Sequence, residues 1–116
     1  MKLPNADRAT VDIDKLRDYC LNPEHPRGRH KARVFASTLG LTGREAGELR
    51  AALLAAARTQ EAIAQESDDY GRRYVLDFVM QGPAGEATAR SGWIIRTGED
   101  FPRPTSCFVL QRRQAL

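Results

Sequence analysis

A switch in hydrophobic period near Arg72 limits the folds open to this chain. Upstream, apolar residues recur every three or four positions; downstream, Tyr74, Leu76, Phe78 and Met80 alternate with Arg73, Val75, Asp77 and Val79. The first spacing lines up one face of a helix and the second one face of a strand. A chain that is helical first and extended afterwards buries both apolar faces by laying its helices over one side of a sheet, an α+β arrangement.

The helical half divides into three segments. A short extended lead holds Ala9, Val11 and Ile13, and Asp12 is placed to cap a helix with Ile13, Leu16, Tyr19 and Cys20 on its apolar face. Asn22-Pro23 ends that helix, because proline pushes the residue before it out of helical geometry. Glu24 to Arg29, with Pro26 and Gly28, reads as a loop. A second helix starts near His30, buries Ala32, Phe35, Ala36 and Leu39, and stops at Gly40. Thr42-Gly43-Arg44-Glu45 has capping-box spacing, and Ala46, Leu49, Leu53, Ala57 and Ile63 form the buried stripe of a long third helix. The alanine-rich run from Ala51 to Ala57 adds intrinsic helix propensity.

The extended half opens with the strand from Arg72, turns at Gly82-Pro83-Ala84-Gly85 and returns over Glu86 to Arg96. On the returning strand Ala87, Ala89, Ser91, Trp93 and Ile95 share one face, and Thr88, Arg90, Gly92, Ile94 and Arg96 share the other. A loop from Thr97 to Pro104 leads to a last strand over Thr105 to Arg112. The expectation is an α+β fold with about three N-terminal helices packed on one face of a C-terminal antiparallel sheet of three to four strands. A length of 116 residues with 41% apolar content suits a single domain spanning 1–116.

Eighteen Lys and Arg against fifteen Asp and Glu leave a net charge of +3, and Lys2, Lys15 and Lys31 are the lysines. The arginine bias either favours an anionic partner, since guanidinium groups grip phosphate in a bidentate way, or reflects only the arginine preference of GC-rich genomes. Basic residues crowd positions 27–33 and 103–113, whereas Glu61, Glu66, Asp68 and Asp69 make the middle acidic. Cys20 and Cys107, far apart within apolar patterns, read as reduced core thiols in a cytoplasmic protein. No apolar run reaches the roughly 20 residues that cross a bilayer, and no signal-like stretch opens the chain, so no membrane partner is expected.

Candidate functional residues concentrate between Asn22 and Arg33, a stretch with both histidines and four basic residues against one acid, Glu24. A loop bearing His25, Arg27 and Arg29 that runs into a helix at His30 and Lys31 gathers hydrogen-bond donors and positive charge. With Arg90 and Arg96 on an exposed sheet face, an RNA strand could lie between loop and sheet. Metal-free RNA cleavage needs a base for the 2′-hydroxyl proton, an acid for the leaving oxygen and cations for the phosphorane charge. His25 or His30 suits proton transfer, Lys31 charge stabilisation, and Thr105 or Ser106 a hydroxyl contact; the same residues also read as solvated charges and strand hydroxyls. No cofactor or metal is expected: Cys20, His25 and His30 lack zinc-ligand spacing, and the glycines form neither a Walker loop nor a dinucleotide fingerprint. Cys107 and Trp93 read as core residues rather than as a nucleophile and a stacking platform.

Leu21-Asn22-Pro23-Glu24-His25-Pro26-Arg27-Gly28-Arg29-His30-Lys31-Ala32-Arg33-Val34-Phe35 resembles the pattern Leu-Asn-Pro-x-His-Pro-x-Gly-x-x-Lys-Ala-x-x-Phe of a bacterial domain family of unknown function. Tyr70-Gly71, Gly92-Trp93-Ile94-Ile95 and Asp100-Phe101-Pro102-Arg103 extend the likeness over nearly the whole chain. Members resemble the toxin tips of polymorphic toxins or stand in gene pairs resembling toxin and antitoxin, with a layout similar to the barnase, RelE and colicin ribonuclease superfold. The resemblance implies a ribonuclease and carries over His25, Lys31, Trp93 and Arg103 as the matching polar positions. It departs at the last strand, where Leu-Val-Thr-x-Tyr would be expected and Pro104-Thr105-Ser106-Cys107-Phe108 stands. Ser106 supplies a hydroxyl in place of the Thr; Phe108 supplies none in place of the Tyr.

The resulting expectation is a toxin-type, metal-independent endoribonuclease cleaving tRNA or mRNA by 2′-hydroxyl attack. His25, Lys31 and Ser106 would be catalytic, Arg27, Arg29, His30, Arg33, Arg90 and Arg96 would contact RNA, and the partners would be RNA and a cognate antitoxin or immunity protein. The alternative is a binding module whose basic loop docks an acidic protein or RNA without cleavage.

Overall fold

Asp12 starts the first helix as its composition suggests: its carboxylate accepts from the Asp14 amide. Helix α1 runs through Ile13–Lys15 and continues in wider π geometry over Leu16–Cys20. The structure, a computed structural model, describes residues 1–111. Helix α2 covers Arg29–Val34, widens over Phe35–Leu39 and ends where Gly40 takes φ 74°, a left-handed conformation that glycine adopts without a Cβ clash. A 3₁₀ turn, Gly43–Glu45, leads into α3, Ala46–Thr59. The Thr42 hydroxyl accepts from the Arg44 amide and bonds the Glu45 carboxylate at 3.0 Å, so the expected capping pair closes on itself side chain to side chain.

Four strands follow: β1 (Ala62–Ala64), β2 (Gly71–Gly82), β3 (Gly85–Arg96) and β4 (Arg103–Val109), forming one antiparallel sheet in that order. The chain is thus three helices and then a four-stranded antiparallel sheet, an α+β arrangement. One residue changed element: Ile63, expected in the buried stripe of α3, lies in β1 and is 66% exposed. The helix stops at Thr59 because Gln60 turns extended, and Ile63 then pairs with Val75 while its neighbour Ala62 takes the buried position opposite Leu76. Ile13 and Ala36, also expected on buried faces, are exposed, Ile13 to 39%. β4 begins two residues earlier than expected, at Arg103; Arg112, its expected end, and Arg113 lie outside the described residues.

Period-two burial holds along β2, whereas on β3 Ser91 through Ile95 are all buried, Gly92 and Ile94 on the outer face included. Tyr74, Leu76, Phe78 and Met80 from β2, Ala89, Trp93 and Ile95 from β3, and Cys107 and Val109 from β4 pack against Leu16, Phe35, Leu39, Leu49 and Leu53 from the helices. Trp93 is fully buried, so it offers no stacking surface; its indole N–H donates to Ser91 Oγ at 2.9 Å, and that hydroxyl donates to the Leu76 carbonyl at 3.2 Å. Both polar groups are therefore satisfied inside an apolar core, as burial requires.

The end of α2 sits directly on the β2–β3 hairpin. The Ala84 amide donates to the Leu39 carbonyl at 3.1 Å, and a Cβ built on Gly82 would overlap that same carbonyl. Gly82→Ala should therefore push α2 off the hairpin and cost about 1–3 kcal/mol, read as a lowered urea midpoint with an unchanged denaturant slope.

Candidate functional site

On the inner side of edge strand β4, α1 leaves a groove of about 490 Å³. One wall is Val11, Asp12, Lys15, Leu16, Tyr19 and Cys20; the other is Arg103 to Cys107. Asp12, Lys15 and Tyr19 follow i, i+3 and i+7 spacing, which turns one polar stripe of α1 toward β4. Tyr19, expected on the apolar face of the helix, is 41% exposed in this groove.

The opposite wall is shaped by a bulge. Gly92 pairs with Ser106 and Trp93 with Pro104, so Thr105 is an extra residue with no partner on β3. The space a Gly92 side chain would need is taken by two hydroxyls: a Cβ there would lie 2.8 Å from Ser106 Oγ and 2.9 Å from Thr105 Oγ1. A glycine at this position thus lets two successive hydroxyls sit over the same spot of the sheet.

The loop before α2 docks on Tyr19. His25 Nδ1 accepts from the amides of Arg27 and Gly28, both at 3.1 Å, and the His25 ring meets the Tyr19 ring edge-on with centroids 4.4 Å apart. With Nδ1 committed as an acceptor, the neutral ring carries its proton on Nε2, which is then an N–H donor. That geometry suits holding an anion more than shuttling a proton, because loading Nδ1 with a proton would set it against two N–H groups.

Lys31 reaches the same neighbourhood from α2, with its ammonium 4.6 Å from the centre of the Phe108 ring. Phe108, lacking the hydroxyl of a tyrosine, serves as an aromatic rest for the cation, an attraction of about 0.5–1 kcal/mol at exposed sites. Of the three expected catalytic residues Ser106 lines the groove, His25 touches its lining through Tyr19, and Lys31 rests on Phe108, which is not part of the lining. Among the described residues no hydrogen bond joins these three side chains directly.

The expected RNA contacts separate into two sets. Arg27, Arg29 and His30 are exposed on the loop and the start of α2, and neither they nor Lys15 and Lys31 form an ion pair among the described residues. Arg33 instead faces a separate depression beside Leu21, Pro23 and Thr42. Arg90 is held by Asp77 across the open sheet face, with bonds of 2.8 and 2.9 Å, and that carboxylate raises its pKa. Arg96 ends β3 opposite Gly71 and lines none of the groove. Arg103 does line it, anchored to Glu99 at 2.6 Å and lying 5.0 Å from the Phe101 ring.

Cys20 and Cys107, expected as core thiols, are both buried and free, on opposite walls of the groove. Burial pushes the Cys107 thiol far up, and the nearby Cys20 adds to the shift; burial also raises Cys20, which the Lys31 charge partly offsets. Among the described residues no three His, Cys, Asp or Glu side chains gather into a metal-ligand cluster.

Two measurements follow from this geometry. Both thiols should react slowly with a disulfide reagent at mildly alkaline pH until urea unfolds the protein, and Lys31→Ala should slow Cys20 further by removing the charge that favours its thiolate. Gly28 has no room for a side chain, since a Cβ would lie 2.6 Å from the Tyr19 carbonyl oxygen. Gly28→Ala should therefore lift the loop, abolish the ring-current shift between His25 and Tyr19 in proton NMR, and cost about 1–3 kcal/mol of stability.

No curated protein matches the chain, and neither does any solved structure. A family model described as "Domain of unknown function (DUF6883)" matches residues 2–111, nearly the whole length. The chain that carries this groove belongs to the DUF6883 family.

Proposed function

We propose that the α1–β4 groove is the active site of a toxin-type, metal-independent endoribonuclease that cleaves tRNA or mRNA in the cytoplasm. The observation that carries this reading is a groove lined by Asp12, Lys15, Tyr19 and Arg103, beside a loop and helix start where Arg27, Arg29 and Lys31 form no ion pair among the described residues. Cations without carboxylate partners are placed to accept phosphate oxygens, and hydroxyls beside them orient the phosphorus. The family likeness to toxin tips and the α+β layout agree with the reading but do not carry it, because a fold hosts many functions.

The chemistry can be written with the residues present. The 2′-oxygen attacks phosphorus while its proton passes to the carboxylate of Asp12, the acid lining the groove. The bond from phosphorus to the 5′-oxygen breaks, and that oxygen takes a proton from the Lys31 ammonium. His25 Nε2 donates a hydrogen bond to a phosphoryl oxygen as charge develops there. The products are a 2′,3′-cyclic phosphate and a 5′-hydroxyl, and Asp12 and Lys31 return to their starting states by exchange with water. An acidic antitoxin or immunity protein would silence the domain by covering the same cations.

The test is induction of the wild-type chain in a bacterial host beside Lys31→Ala, Asp12→Asn and Ser106→Ala, with total RNA resolved on a denaturing gel. Growth arrest with discrete fragments ending in cyclic phosphate is expected from the wild type. Lys31→Ala and Asp12→Asn should lose about a hundredfold or more of the cleavage rate. Intact RNA and normal growth with folded wild-type protein would sink the reading and favour the docking module for an acidic partner.

A further inference from the structure

The aromatic residues of the described chain are nearly all committed elsewhere. Phe35, Tyr74, Phe78 and Trp93 are buried, Phe108 carries the Lys31 ammonium, and Phe101 lies beside Arg103. Tyr70 is exposed at the start of β2, away from the groove walls. Tyr19 is the aromatic ring that lines the groove, and it is fixed there from behind by His25 and by the close approach of Gly28 to its backbone. An exposed ring held this firmly loses little freedom when something stacks on it.

We propose that Tyr19 is a stacking platform for one unpaired nucleobase, which makes single-stranded RNA the substrate class of this site; the inference rests on reading the groove as an RNA site. The floor beneath the ring is apolar, formed by Leu16, Cys20 and Cys107, and a volume of about 490 Å³ falls within the roughly 300–1,000 Å³ of typical small-ligand sites. A base with its sugar fits that space. Lys15, four residues before Tyr19 on the same helix face, lines the groove beside the ring, and Arg27 and Arg29 are exposed on the loop that packs on Tyr19, cations available to the phosphates on either side of an inserted base. Bases in a duplex hide their faces in the stack, so only a strand that can splay a base out satisfies both the ring and the cations. Every base has a π-face, so stacking alone gives affinity without fixing base identity.

The experiment is fluorescence anisotropy with the full chain and a labelled single-stranded deoxyoligonucleotide, which lacks the 2′-hydroxyl and so reports binding without cleavage. An abasic version and a duplex of the same length serve as competitors. The wild type should bind the base-bearing single strand about tenfold more tightly than the abasic strand, in line with the worth of one stacked base. Tyr19→Ala should lose that advantage, and Tyr19→Phe should keep it. Equal affinity for base-bearing and abasic strands, preference for the duplex, or a Tyr19→Ala variant that keeps the advantage would each overturn the inference. Base-dependent binding through Tyr19 with no cleavage of RNA would sustain the platform and overturn the nuclease; cleavage with Tyr19-independent binding would do the reverse.

Discussion

Trp93, fully buried at the centre of the sheet's inner face, requires a continuous cover of helices, and that requirement organises the molecule. Its indole is satisfied within the sheet by Ser91, whose hydroxyl is in turn satisfied by Leu76, so the helices that cover it need supply only apolar surface. Phe35, Leu39, Leu49 and Leu53 supply it, each with no residual exposure. Burying a large aliphatic or aromatic side chain is worth about 1.5–3 kcal/mol, so this layer accounts for much of the drive to fold. The direct seating of α2 on Gly82 fixes where that helix ends and, through it, where Lys31 stands above β4.

Function gathers where this cover runs out. β4 is an edge strand, and the short α1 lies along it without closing on it, so the strip between them stays open as a groove. An unpaired strand edge is a liability in water; here it is broken by Pro104 and by the bulge at Thr105, which also expose hydroxyls. The basic loop from His25 to Arg29 cannot bury its charges and is carried to the rim by its contact with Tyr19. Away from the groove some cations are neutralised in place: Arg73 pairs with Asp68 and Arg90 with Asp77. Partially exposed pairs of this kind contribute at most about 1 kcal/mol each.

Much of the fold was legible because burial follows period. The alternation from Tyr74 to Met80 told inward from outward residues correctly, whereas on β3 Gly92 and Ile94 of the outer face are buried as well; Gly40 and Asp12 marked helix ends by their local chemistry. Ile63 and Tyr19 were misread for one reason: a residue at the edge of an apolar stripe is assigned by its neighbours in space, not by its spacing. Of the site, the loop bearing His25, Arg27 and Arg29 was visible as charge density, and Ser106 as a hydroxyl on a strand. The polar stripe of Asp12, Lys15 and Tyr19 on α1 was present in the spacing but carried no sign of what it would face.

The sequence by itself determined the order of helices and strands, which face of each would be buried, and that a cluster of cations would remain at the surface, because these depend on local propensity and on the periods 3.6 and 2. Only the tertiary structure decided that Arg90 would be neutralised, that Arg33 would turn away, that His25 would be an N–H donor through Nε2, and that α1 and β4 would form one groove. Those outcomes depend on which side chain meets which across tens of residues of chain, and such contacts are set by the packing of whole elements rather than by any local pattern.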